Sequence, residues 1–265
     1  MVRDERRSTK GAPRGGGNVS AAKRRDGGKR LFYILLAVLL IAGITALSMM
    51  AARPKNNVSL IDTTIAPVPN QGHVIGSDTA PVEVIEFADF ECPACGSFGT
   101  LTEPDVRNRL VNTGVIRYRF IDLPLNIHRN TWSAHRAGWC AGEQGKFWEM
   151  HDILFFNQDR WNGETTTRPD AVIEDLAKPL GLNMSQFSSC VASRKYDPQI
   201  RANRDEAQRQ QIPSTPSFIF GNKMVKGAIS YDVFKAHVDS ALAQARASKA
   251  PAPAAPTKSG AAKAR

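Results

Sequence analysis

Cys92 and Cys95, separated only by Pro93 and Ala94, are the residues most able to do chemistry. They follow an apolar run, Val82 to Phe90, and open a stretch of helical character. Two thiols with a two-residue gap at a strand-to-helix junction can close to a disulfide and reopen. A helix N-terminus stabilises a thiolate through aligned peptide dipoles and unpaired N–H groups. Thiol–disulfide exchange is the reaction this arrangement suits. A zinc site would want a second close Cys or Cys/His pair. Cys140 and Cys190 stand fifty residues apart and supply none. Gly96 after Cys95 rules out haem attachment. No metal and no cofactor is called for.

Several elements must position the pair. Val82–Phe90 has the near-continuous apolar character of a strand buried on both faces. A helix should run from Cys92 to about Val111, with a kink or break at Pro104. Val115–Ile121 reads as a second strand, and Gly72–Gly76 as a short edge strand. From about 130 to 211 only helical periodicity and helix punctuation occur. Pro169 and Gly181 bound one helix, and Asn183 and Asp197-Pro198 each open another. Strand character returns at Ser217–Phe220 and Lys223–Lys226 around Gly221-Asn222, a hairpin pattern. Ser230–Arg246 closes as an amphipathic helix with Val233, Phe234, Val238 and Leu242 on one face. The fold class is therefore α/β, a short sheet covered by helices with an inserted helical subdomain.

The net charge of +10 suggests nucleic acid, but its distribution argues otherwise. Residues 1–30 hold ten Lys/Arg against three acids, and 246–265 hold five against none. The intervening chain is near neutral, which removes support for a nucleic-acid partner. Leu31–Ala52 is apolar and uncharged, long enough to span a bilayer, and preceded by Lys23, Arg24, Arg25, Lys29 and Arg30. The expected organisation is a basic cytoplasmic tail (1–30), a transmembrane signal anchor (31–52), a linker (53–71), a catalytic domain (72–246) and a disordered Ala/Pro/Lys tail (247–265). A cleaved signal peptide with Ala46-Leu47-Ser48 as its site is the rival reading. Either places the domain outside the cytoplasm, where disulfides persist.

The segments Glu86-Phe-Ala-Asp-Phe-Glu-Cys-Pro-Ala-Cys95, Cys140-Ala-Gly-Glu-Gln-Gly-Lys-Phe-Trp148 and Ile212-Pro-Ser-Thr-Pro-Ser-Phe218 resemble the DsbA-like thiol–disulfide oxidoreductases. Their membrane-anchored bacterial members are the nearest in kind. The resemblance covers about residues 72–246 and implies a thioredoxin-like fold. It implies that Cys92 attacks clients, that Cys95 resolves the mixed disulfide, and that Glu86 is a buried acid relaying a proton. It also implies a cis-proline loop at Thr215-Pro216 which, with Pro93 and Ala94, meets an extended client. Cys140 and Cys190 then form a structural disulfide, as in some relatives. Two buried free thiols and a second redox pair are the alternatives.

The implied partners are unfolded or partly folded secreted clients and a DsbB/VKOR-like membrane protein that renews the disulfide. A reductase or isomerase with the same site is the rival activity. A client-binding chaperone with structural cysteines is the rival outside enzymes. The strongly oxidising members carry His between their cysteines, so Ala94 implies a less acidic Cys92 and a milder oxidant. Asp89 and Glu91 read as surface charges. His128, His135, His151 and His237 read as surface or boundary residues. Trp132, Trp139, Trp148, Phe147, Phe155 and Phe156 read as helical core.

Overall fold

The computed structural model describes residues 27–51, 58–60 and 71–249. The expected disordered tail beyond 249, most of the basic tail and most of the linker lie outside the described residues. Two units are distinguished, Met1–Lys55 and Asn56–Arg265. The first contains helix α1, Gly27–Ala51. Within it Lys29–Ser48 has a mean hydropathy of 2.5 and, by length and composition, is able to cross a membrane. At 1.5 Å per residue those 20 residues extend about 30 Å, the thickness of a hydrocarbon core.

The second unit is built on a six-stranded sheet. Its strands are β1 Val58–Leu60, β2 His73–Ile75, β3 Val82–Ala88, β4 Ile116–Asp122, β5 Ser217–Phe220 and β6 Lys223–Lys226, in the order β1-β6-β5-β3-β4-β2. β3 runs parallel to β4 and antiparallel to β5, and its side chains are buried on both faces. β1 pairs antiparallel with β6 at one edge, so part of the stretch expected to be linker is a strand. Three residues flanked by polar chain carry too little periodicity to mark a strand; the edge of β6 supplies the partner.

Alternation along β3 sorts its neighbours. Val84 packs with Phe98, Tyr118, Phe218 and Phe234, whereas Ile85 and Phe87 pack with Ile121, Ala207 and Ile219 on the opposite face. Glu86 stands in register with Phe120 and Phe218, on the same face as Val84. It is 1% exposed, a carboxyl group sunk in an aromatic layer.

The helix opened by the cysteine pair, α2, covers Pro93–Leu101, and the chain then breaks. A short α3, Glu103–Val106, and a π turn, Arg107–Val111, continue it. Pro104 lacks the N–H an unbroken helix needs and would crowd the carbonyl four residues back, which explains the break. Between β4 and β5 lie α4 Thr131–Gly142, α5 Phe147–Phe156, α6 Gln158–Trp161, α7 Pro169–Ala177, α8 Met184–Ser193 and α9 Asp197–Arg209. Asn183 caps α8 by accepting from the Gln186 N–H at 3.1 Å. α10, Tyr231–Lys249, closes the unit with Phe234, Val238 and Ala241 buried. Val233, expected on that face, is 45% exposed because it sits one position round the helix from Phe234.

Cys140 on α4 and Cys190 on α8 are disulfide-bonded across a separation of 50 residues. Closing a loop of that length in the unfolded chain is worth about 4 kcal/mol on the chain-entropy account. The helical core also differs from the sequence expectation. Phe156 is 79% exposed, since Phe155 beside it takes the inward position, and Trp161 on α6 is fully buried instead. Its indole N–H donates to the Leu154 carbonyl at 2.8 Å, which settles the polar end of a buried tryptophan.

Candidate active site

Cys92 is the N-cap residue of α2, with extended backbone angles, and Pro93 occupies the first helical turn. Proline is at home there, because the N–H it lacks would have no intrahelical acceptor. Pro93 is exposed and Ala94 half-buried. Cys92 is 8% exposed and Cys95, one turn inward, is fully buried; both are free thiols. The two sulfurs therefore face opposite electrostatics. Hydrogen bonding from the Cys95 thiol, then from Thr215 and the N–H groups of Cys95 and Ala94, outweighs burial and lowers the Cys92 pKa to about 5. Burial, with the nearby Cys92 and Glu86 charges, pushes Cys95 well above the ordinary thiol value.

Opposite Cys92 the chain passes through Thr215 and Pro216, whose peptide bond is cis. The Thr215 carbonyl accepts from the Cys92 thiol at 3.5 Å. Its buried hydroxyl has no partner of its own, so it is free to donate to the sulfur once that is ionised. The motif residues and this loop, more than a hundred positions apart, meet at one sulfur.

Beneath them lies Glu86. Tyr118 donates its hydroxyl to Glu86 Oε2 at 2.6 Å. Burial raises the Glu86 pKa strongly, and the Glu103 carboxylate raises it further against the opposing Tyr118 bond and Arg107 charge. Glu86 also figures among the charges acting on Cys95. An acid whose burial favours its neutral form thus acts on a buried thiol that must gain or lose a proton when its disulfide opens or closes.

Asp89 and Glu91 are not surface charges: they are 0% and 7% exposed. Asp89 accepts from the Glu91 N–H at 2.8 Å, the Leu125 N–H at 2.8 Å and the Thr131 hydroxyl, and pairs with His128 Nδ1 at 2.7 Å. Burial opposes its ionisation, but these bonds, His128 first, hold it well below the usual carboxylate range. Glu91 accepts from the N–H groups of Asn130 and Gly163, each at 2.6 Å. These two acids pin the loops at 124–131 and 162–166 against the cysteine turn. His135 is likewise buried, its Nδ1 2.5 Å from Asp122 Oδ1, and burial is outweighed by Asp122 so that its pKa rises to about 9. His151 is fully buried too.

Gln158 is a site residue that no sequence signal marked. Its Nε2 donates to the carbonyls of Phe90 at 2.6 Å and Cys92 at 3.0 Å, holding the turn from α6. Gly96 leaves room for this amide, since a Cβ there would come within 2.9 Å of Gln158 Oε1 and displace it. Pro93 borders a groove of about 240 Å³ reaching Ile127, His128 and Glu164. A second concavity of about 200 Å³ lies beside Pro213 and Ser214. Among the described residues, no group of three His, Cys, Asp or Glu is placed to hold a metal ion.

The fold and site can be set beside known proteins. A family model described as thioredoxin matches residues 69–240. The chain is 36% identical over 188 residues to Na(+)/H(+) antiporter NhaA 3 of Salinispora tropica, a match covering 71% of this chain and 27% of that protein. It therefore spans about a quarter of the length of the antiporters it matches. It is 26% identical over 175 residues to disulfide bond formation protein D of Bacillus subtilis, covering 64% of this chain and 76% of that one. Oxidised BdbD from Bacillus subtilis superposes with a TM-score of 0.60 at 24% identity, over 67% of this chain and 96% of that one. Alpha-DsbA1 from Wolbachia pipientis gives a TM-score of 0.60 at 20% identity, over 70% and 97%. The chain belongs to the thioredoxin family, and its inserted helices give it the DsbA-like form of that fold.

Proposed function

We propose that the protein is a thiol–disulfide oxidoreductase that donates the Cys92–Cys95 disulfide to secreted clients. The supporting observation is the contrast between the two thiols, one ionised at the mouth of α2 and the other buried and neutral beneath it. A client thiolate attacks the Cys92 sulfur, the S–S bond breaks, and Cys95 leaves with the electron pair and takes a proton. A second client thiol then displaces Cys92, which leaves as a stable thiolate. The client loses two electrons to form its disulfide, and the protein gains them as a dithiol. Thr215 faces the sulfur under attack, and the grooves beside Pro93 and Pro213 accommodate the client chain on either side.

The low Cys92 pKa favours oxidation over reduction, because stabilising the reduced thiolate makes the disulfide easier to give up. A value of about 5 lies between thioredoxin, about 7, and DsbA, about 3.5. That position fits a milder oxidant, with Ala94 where a histidine would add positive charge. The name disulfide bond formation protein D, carried by the Bacillus subtilis relative, accords with this direction. Helix α1 acts as a single-pass anchor, with residues 53–71, of which Val58–Leu60 join the sheet, leading to a domain at 72–246 on the extracytoplasmic face. A membrane protein of the DsbB/VKOR type renews the disulfide.

The test is Cys95→Ala in the full chain. The Cys92 thiolate attacks a client disulfide and displaces one client thiolate; without the resolving thiol the mixed disulfide persists as adducts seen on non-reducing gels and released by dithiothreitol. Absence of such adducts from cells that secrete disulfide proteins would sink the reading.

A further inference from the structure

Four titratable side chains behind Glu86 have no part in the exchange steps above. Glu103 and His151 are 1% and 0% exposed. Glu103 Oε2 and His151 Nε2 lie 3.4 Å apart, and neither makes a hydrogen bond. On its other edge, His151 Nδ1 is 2.9 Å from a donor, Arg107 Nη2, and 2.9 Å from an acceptor, Asp152 Oδ1. Asp152 is 56% exposed and, with Arg107, lines a groove of about 480 Å³ between α2, α3 and α5. Glu103, at the buried end of this series, is the strongest neighbouring charge acting on Glu86.

The imidazole is placed for two tautomers. With the proton on Nε2, the ring faces Glu103 as a donor and accepts from Arg107 at Nδ1. With the proton on Nδ1, the ring donates to Asp152 and presents a lone pair to Glu103, which is satisfied when that carboxyl is protonated. Going from the first form to the second, the ring takes a proton at Nδ1 from the Asp152 side and releases one at Nε2 to the Glu103 side. Glu103 is a buried carboxyl group whose charge raises the Glu86 pKa.

We propose that Glu103, His151 and Asp152 form a solvent-facing arm of the proton path, through which the buried Glu86 exchanges its proton with the α2–α5 groove. The proposal rests on the exchange reaction above and deepens it. When the disulfide opens, the Cys95 sulfur takes the Glu86 proton. Solvent then protonates Asp152, His151 receives a proton at Nδ1 and releases one at Nε2, and Glu103 passes it to Glu86. When the disulfide closes, the Cys95 proton leaves by the same groups in reverse. Arg107, bonded to Glu103 at 2.7 Å and Asp152 at 2.7 Å, positions the two carboxylates about the ring. Tyr118 fixes Glu86 from the strand side, and the Glu86 charge and those of the cysteines at the start of α2 act on one another.

Reduced full-length protein in detergent, mixed with glutathione disulfide and quenched in acid, separates the steps by mass spectrometry. Formation of the Cys92–glutathione adduct reads the nucleophile, and its decay to the internal disulfide reads Cys95. His151→Gln and Asp152→Asn should each slow the decay about tenfold or more, a modest share of the 10²–10⁴ typical of acid–base assistance. Adduct formation should keep its wild-type rate in both. Unchanged decay in either variant, or equal slowing of both steps, would overturn the arm. Failure of the wild-type protein to form any adduct would instead remove the exchange reading.

Discussion

At pH 5 Cys92 should react with iodoacetamide about 50–125 times faster than an ordinary cysteine, while Cys95 stays unmodified. A thiol with the ordinary value of 9.0 is about one part in 10⁴ thiolate at pH 5, whereas Cys92, at about 5, is about half ionised. The gain in thiolate is thus about 5,000-fold. A more acidic thiol is intrinsically less nucleophilic, and a Brønsted slope of about 0.4–0.5 over that gap removes about 40–100-fold. At pH 7 the two effects nearly cancel, so the two rates should agree within about tenfold. The signature is the pH profile. Because the folded value is depressed, the rate is flat above about pH 6 and falls about tenfold per pH unit below 5. Peptide mapping of the alkylated protein reads both cysteines. A midpoint near 8 or 9 would contradict the site geometry.

Glu86→Gln should slow closure of the internal disulfide by about 100-fold, the lower end of what a positioned acid–base group contributes. Glutamine still accepts from Tyr118 and still fills the space, so the change isolates the proton. In the wild-type protein the carboxyl is neutral below its raised pKa and cannot take the Cys95 proton. Closure therefore accelerates as pH rises through that value, and the variant loses this limb. Cys92 alkylation should be unaffected. Thermal stability should change little, because glutamine keeps the Tyr118 bond and, like the neutral acid it replaces, carries no charge. Closure at the wild-type rate in the variant would show that Cys95 finds its base elsewhere. The substitution on Glu86 is expected to have a larger effect than those on His151 or Asp152, since water entering the buried site can partly replace a distant relay group.

What could be read from the chain alone was whatever is encoded locally. The cysteine turn, the buried strand β3, the Thr215-Pro216 loop before a hairpin and the break at Pro104 each announce themselves within a few residues. The fold class followed from the order of those elements. The carboxylates beside the motif were misjudged for the opposite reason. Asp89 and Glu91 look like solvent-facing charges next to an exposed helix start. They are buried because backbone N–H groups at Leu125, Asn130 and Gly163 converge on them from loops 36–72 residues away. A buried acid with two or three such donors keeps its charge at little cost, and nothing in its immediate sequence reports them.

The histidines follow the same rule. His135 and His151 lie on helices whose pattern marks an inward face but not which polar group it meets. Asp122, brought from β4, partners His135, and Arg107, brought from the turn after α3, partners His151 together with Asp152. Gln158 acts from a four-residue helix too short to carry a period, and Trp161 takes the core position expected for Phe156 because the chain turns between them. These are long-range consequences of the helical insertion folding back over the cysteine turn. They decide the electrostatics of the site, whereas the local pattern decides only its reaction class.

The oxidase direction is tested most directly in intact cells expressing the full chain. Acid quenching followed by alkylation with a mass-tagged maleimide counts the free thiols at Cys92 and Cys95 under steady-state secretion. The account predicts that the pair is held mainly as the disulfide, renewed after each client. A pair found mainly as the dithiol would contradict it and assign the same site to reduction or isomerisation.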